Sequence, residues 1–134
     1  MHEWALAEAI VNTVLRYKEE NRLLKVNKVL VKLGSLQEIE KEVLISALEE
    51  FLKMKKLKVQ FIIEEEEASF KCRICGEKWN FRGSPLNESE RERVHFIPEL
   101  IKIYCKCPSC GSSDFEVLKG RGVWIEWIKG ESLP

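Results

Sequence analysis

Residues 71–79 read KCRICGEKW and residues 104–115 read YCKCPSCGSSDF. Each stretch contains Cys-x-x-Cys-Gly: two thiols presented from one tight turn, then a glycine free to take the positive φ that the turn requires. Brought together, the two turns make a closed shell of four sulfurs. Zinc suits such a shell, because Zn²⁺ accepts four thiolates tetrahedrally, whereas nickel and copper(II) favour tetragonal nitrogen and oxygen surroundings. Cys72, Cys75, Cys107 and Cys110 are therefore the expected zinc ligands. Cys105 competes with Cys107 by position, but only Cys107 completes the motif with Cys110, which leaves Cys105 a bystander thiol. Five cysteines in paired spacing also argue for a reducing compartment and a metal rather than a disulfide framework.

Between the knuckles lie residues 76–106, thirty-one in all, where a compact double-knuckle module has about 15 to 20. The excess includes PLNESERERVHFIPEL (85–100), in which Asn87 is placed to cap a short helix and Pro98 to end it. His95 sits inside this stretch. Outside the cysteine segment the chain alternates helix and strand. Leu6, Ala9, Ile10, Thr13, Val14 and Tyr17 fall at helical spacing, so His2 to about Asn21 reads as an amphipathic helix. A strand closed by Gly34 follows, then a capping-box spacing at Ser35 and Glu38 ahead of a second helix, then the strand LKVQFII. Glu64–Glu67 read as a solvated edge leading to a new subdomain. VWIEWIK (123–129) is too apolar to hang free and is expected to return to the first two strands. The expected fold is α+β: two amphipathic helices packed on a small three-stranded sheet, with an inserted zinc-ribbon-like subdomain. The expected boundaries are 1–67 plus 118–134 for the first domain and 68–117 for the insertion.

A chain of 134 residues with 45% hydrophobic content can bury a core in one domain or two very small ones. Lys plus Arg and Asp plus Glu stand at 22 each, so the chain lacks the positive field of a phosphate-tracking protein. No run approaches the ~18 apolar residues of a membrane span, and nothing at the N-terminus reads as a cleaved leader. These features exclude a membrane partner, disfavour nucleic acid and point to the cytoplasm.

The first residues, Met1, His2 and Glu3, form a cluster of metal donors where a helix would ordinarily carry a capping side chain. If the Met1 amine and the deprotonated His2 amide bind one metal, they close a five-membered ring. The His2 amide and its imidazole Nδ1 close a six-membered ring. Three corners of a square are then filled by two residues, the preference of Ni²⁺ or Cu²⁺ and not of Zn²⁺. The amide is available because the first N–H groups of a helix have no intrahelical acceptor. A large second side chain normally blocks removal of the initiator Met, which keeps the amine next to His2. The fourth corner is open to Glu3, to His95 or to a partner's donor.

A chain that starts Met-His-Glu, continues with an amphipathic helix and a strand ending Leu-Gly, and carries two Cys-x-x-Cys-Gly knuckles resembles the HypA family with its HybF relatives. The resemblance covers essentially the whole chain. It implies a nickel carrier for [NiFe]-hydrogenase maturation and no catalytic activity, with nickel at His2 beside Glu3 and structural zinc at Cys72, Cys75, Cys107 and Cys110. It also implies a HypB-type GTPase and a hydrogenase large subunit as partners, with urease served in some bacteria. A homodimer, with or without exchange of the zinc insertion, stays open. The long inter-knuckle segment departs from the family pattern. The alternative function is a zinc-ribbon nucleic-acid-binding protein, disfavoured by the zero formal charge. An enzyme is disfavoured too, since four cysteines close the zinc shell and neither His-Glu-x-x-His nor a nucleophile elbow occurs.

Overall fold

A computed structural model describes residues 2–37, 39–81 and 86–133, with the side chains of His2 and Gln37 outside that description. The chain forms two compact units: Met1–Lys32, Ile39–Glu64 and Trp124–Pro134 make the first, and Leu33–Glu38 with Glu65–Val123 the second. No described helix is long and apolar enough to cross a membrane.

The first unit holds α1 (His2–Glu20), most of β1 (Leu23–Gly34), α2 (Lys41–Lys55), the start of β2 (Gln60–Glu66) and nearly all of β6 (Val123–Ser132). The sheet runs in the order β2-β1-β6, so the last strand does return to the first two. The buried stripe of α1 is Glu3, Ala7, Ile10, Val11 and Val14; of the expected stripe Ile10 and Val14 are buried and Leu6 is half-buried, while Ala9, Thr13 and Tyr17 are exposed. Both stripes have helical spacing. The buried one carries smaller side chains at Ala7 and Val11, which suits close packing on α2. Thr13 is exposed and its hydroxyl donates to the Ala9 carbonyl. Leu44, Ala47 and Leu48 of α2, Val26, Val29 and Val31 of β1, and Ile63 of β2 supply the rest of this core.

Ser35, expected to cap the second helix, does not stand at its start. Ser35–Gln37 is a turn of 3₁₀ helix, and the Ser35 hydroxyl accepts from the Ala68 amide at 2.7 Å. Glu38 lies outside the described residues. Helix α2 begins at Lys41, and its N-cap residue Glu40 makes no side-chain cap. The Glu40 N–H instead donates to the Glu3 carboxylate at 3.1 Å. The other end of α2 closes with Lys56 in the left-handed region (φ 54°) and the Leu57 N–H on the Leu52 carbonyl, the hydrogen-bond pattern of a Schellman stop.

The second unit is built on an antiparallel sheet ordered β4-β3-β5, from β3 (Ser69–Cys72), β4 (Lys78–Asn80) and β5 (Phe115–Lys119). Phe70 lies opposite Trp79 on one side and Val117 on the other. Its ring packs on Phe115 at 5.2 Å and Trp79 at 5.5 Å between centroids. Three short strands cannot bury much alone. The long inter-knuckle segment covers them: α3 (Glu88–Phe96), a 3₁₀ turn at Pro98–Leu100 and α4 (Ile101–Tyr104) add fully buried Val94 and Ile101 to the cluster of Phe70, Phe81 and Phe115. Helix α3 starts where the sequence places it, with a capping box in which the Glu90 N–H donates to the Asn87 side chain and the Asn87 N–H to the Glu90 carboxylate. Leu36, delivered by the short 33–38 segment, is fully buried in the same cluster.

Candidate metal centres

The two knuckles repeat one another bond for bond. In the first, the Cys72 N–H donates to the Glu77 carbonyl and the Gly76 N–H to the Cys72 carbonyl; in the second, Cys107 donates to Ser112 and Gly111 to Cys107. Gly76 and Gly111 both sit at positive φ, 80° and 76°. Within each loop an amide two residues on, Ile74 or Ser109, points at the first cysteine's sulfur at 3.4 Å. Such N–H···S bonds favour the thiolate that a metal needs. Arg73 ties the knuckles together, its N–H on the Asp114 carbonyl and its guanidinium on the Asp114 carboxylate at 3.1 Å.

The result brings the Sγ atoms of Cys72, Cys75, Cys107 and Cys110 within 4.8 Å of one another. Cys72 and Cys110 are 3.5 Å apart, as are Cys75 and Cys107. A tetrahedron with metal–sulfur bonds of ~2.3 Å has edges of about 3.8 Å, so the donor set fits one tetrahedral thiophilic ion. Cys72 and Cys107 are buried, and Cys75 and Cys110 face solvent. The N–H groups of Cys75 and Ile74 and the neighbouring thiols bring the Cys72 thiol from 9.0 down to about 7 against the effect of burial. Cys110 moves oppositely: the Ser112 amide favours its thiolate, but hydrogen bonds with Cys72, Cys75 and Cys107, together with burial, push it up to about 12. A dication held by Cys72, Cys75, Cys107 and Cys110 would take the place of the protons these crowded sulfurs otherwise share. Cys105 is buried in the apolar cluster and is not one of the four.

At the chain start, Met1 and the His2 side chain lie outside the described residues, and the His2 backbone opens α1. Glu3 is 7% exposed. Burial acts to raise its carboxyl, but the amides of Glu3 and Glu40 outweigh it and hold the group below its ordinary 4.5. Sequence reasoning presented Glu3 as a metal donor and missed this structural bond, because the partner is a backbone amide 37 residues away. His95 occupies the last turn of α3, half-buried, its Nδ1 buried and its ring edge-on to Phe96 at 5.2 Å.

Comparison with known proteins bears on both centres. The sequence pattern of the HypA family, described as hydrogenase/urease nickel incorporation, metallochaperone, matches residues 1–130. Hydrogenase maturation factors HypA of Pyrococcus abyssi and Pyrococcus horikoshii are 47% and 48% identical to the chain, each alignment covering 98% of it and 96% of the relative. The solution structure of the Ni metallochaperone HypA from Helicobacter pylori superimposes with a TM-score of 0.63 at 16% identity, over 98% of both chains, which establishes a shared fold. By pattern and by near full-length identity, this chain belongs to the HypA family.

Proposed function

We propose that the chain carries Ni²⁺ at its N-terminus, delivers it during [NiFe]-hydrogenase maturation, and keeps zinc in the four-sulfur shell as a structural cofactor. The observation that carries this reading is a family match that begins at residue 1, where the Met1 amine and His2 stand. The Met1 amine, the His2 amide and the His2 Nδ1 form two fused chelate rings around a square metal, and nickel prefers that donor set. The fourth corner falls to Glu3, His95 or a donor from the receiving protein. Glu3 would have to loosen its bond to the Glu40 amide to serve, which makes that corner exchangeable. His95 would offer Nε2, since its Nδ1 is buried.

Zinc bound by Cys72, Cys75, Cys107 and Cys110 would cross-link the two knuckles and contribute folding free energy directly. The chain is a carrier and not an enzyme, working in the cytoplasm with a HypB-type GTPase and the hydrogenase large subunit.

Nickel titration of untagged protein against a form extended before Met1 tests the reading. Extension converts the amine to an amide and removes one corner, so nickel affinity should fall about a hundredfold or more, close to 3 kcal/mol, with zinc and helix content unchanged. His2→Ala should do the same. Unchanged affinity in either removes the chelate. In the same titration, His95→Ala should weaken binding and shift the ligand-field bands only if the imidazole fills the fourth corner.

A further inference from the structure

The four knuckle sulfurs are not equivalent. Cys72 and Cys107 are 1% and 3% exposed, and each accepts an amide N–H, from Ile74 and Ser109. Cys75 and Cys110 face solvent. The approach to them is open: Ile74, between the first two cysteines, is 68% exposed, and a side chain added at Gly76 or Gly111 would meet no heavy atom within 4 Å. Burial keeps a water-borne reagent from Cys72 and Cys107, so attack falls on the second cysteine of each knuckle. Cys110 also faces the Ser112 amide, so it is access and not bonding that sets it apart.

Each exposed sulfur has a buried one from the other knuckle at 3.5 Å, Cys75 with Cys107 and Cys110 with Cys72. An exposed sulfur that becomes oxidised therefore has a resolving thiol already in place. Closing 3.5 Å to the about 2 Å of an S–S bond asks for a small shift. Bonds across the knuckles would also keep the two turns joined, whereas bonds within each Cys-x-x-Cys would let them part.

We propose that the four-sulfur shell is a reversible redox switch, in which a peroxide attacks Cys75 or Cys110 and the knuckles lock as Cys75–Cys107 and Cys72–Cys110 while zinc leaves. The proposal rests on the structural-zinc reading of the shell. In the first step the exposed thiolate attacks one peroxide oxygen, the O–O bond breaks, hydroxide leaves and the sulfur becomes a sulfenic acid. In the second, the facing thiolate attacks that sulfur, the S–O bond breaks and a second hydroxide leaves. Each disulfide gives two electrons to one peroxide. Two disulfides consume all four thiolates, and zinc departs as the aqueous dication. The ion stays while the thiols are reduced and goes when they are not.

Peroxide titration of the reduced, zinc-loaded, full-length chain, with a weak chromogenic zinc chelator present, tests this. Zinc should fall from one per chain to near zero as about two equivalents are consumed, and the five thiols should fall to one, Cys105. Peptide mapping after acid quench should find Cys75–Cys107 and Cys72–Cys110. Reductant with added zinc should restore the metal. The oxidised chain should melt above the zinc-stripped reduced chain, because cross-links over 32 and 38 residues restrain the unfolded state. Cys105→Ser should release zinc at the wild-type rate. Zinc and thiols that survive about a tenfold excess of peroxide overturn the proposal. Disulfides confined to Cys72–Cys75 and Cys107–Cys110, or release that disappears in Cys105→Ser, overturn it as well. A reduced chain that holds no zinc removes the structural-zinc reading itself, and the proposal with it.

Discussion

The knuckles and the proposed site at the chain start present their candidate metal donors in opposite ways. At the knuckles, four sulfurs converge through bonds made within a few residues of each cysteine: two glycines at positive φ, two amides aimed at sulfur, and two closing carbonyls. At the start, the donors belong to the end of one helix, and the described tie near them is the Glu3 carboxylate on the amide of Glu40. Short-range turn chemistry builds a shell suited to an ion that stays. On the proposed reading, a helix terminus tied to α2 through Glu3 suits an ion that leaves, because the donors lie at a chain end and not in a core.

The contrast breaks most visibly at a knuckle cysteine. Cys107→Ser should drop zinc from one per chain to near zero and unfold the second unit, because structural zinc is worth on the order of 10 kcal/mol in small thiolate domains. Cys105→Ser should retain the metal. Zinc analysis with thermal unfolding decides it, and loss of zinc from the Cys105 variant alone would show the ligand set to be wrong.

A smaller effect separates sequence neighbourhood from structural membership. Leu36→Ala empties a fully buried site of the second unit, so about 2–4 kcal/mol should be lost there. Hydrogen exchange should show the loss at β3 and α4 and spare α1 and α2. Uniform loss would mean that Leu36 does not belong to one unit.

Least costly is Glu3→Gln, at about 1 kcal/mol at neutral pH, the worth of a charge-assisted cap. The sign follows from the lowered carboxyl. Its contribution is present above the unfolded value and fades as pH falls through the folded one, so wild type and variant should converge in acid. Chemical denaturation of both at neutral and acid pH measures this. A constant gap would leave the ionised carboxylate without a role.

Much of this was legible in the residues. The alternation of helices and strands, the return of the last strand, the Asn87 cap and the four-sulfur set all rest on local patterns that carry their own chemistry. What was hidden depends on distant partners. Ser35 has capping spacing, yet its hydroxyl serves the Ala68 amide. Leu36, beside it, carries no signal in its local pattern and is fully buried in the core of the second unit. The α1 stripe is ambiguous because two overlapping faces are both apolar, and only packing chooses between them. The boundaries expected at 67/68, from the Glu run, and at 117/118, between the cysteine segment and the last strand, compare with compact units that change at 64/65 and 123/124 and lend 33–38 to the second.

One consequence concerns the order in which the molecule can be completed. Strand β6 (123–132) pairs with β1 (23–34), about a hundred residues away in sequence. The sheet of the first unit therefore closes over nearly the whole chain length, a non-local contact of the kind that slows folding. The sheet of the second unit closes only with β5 and that of the first only with β6.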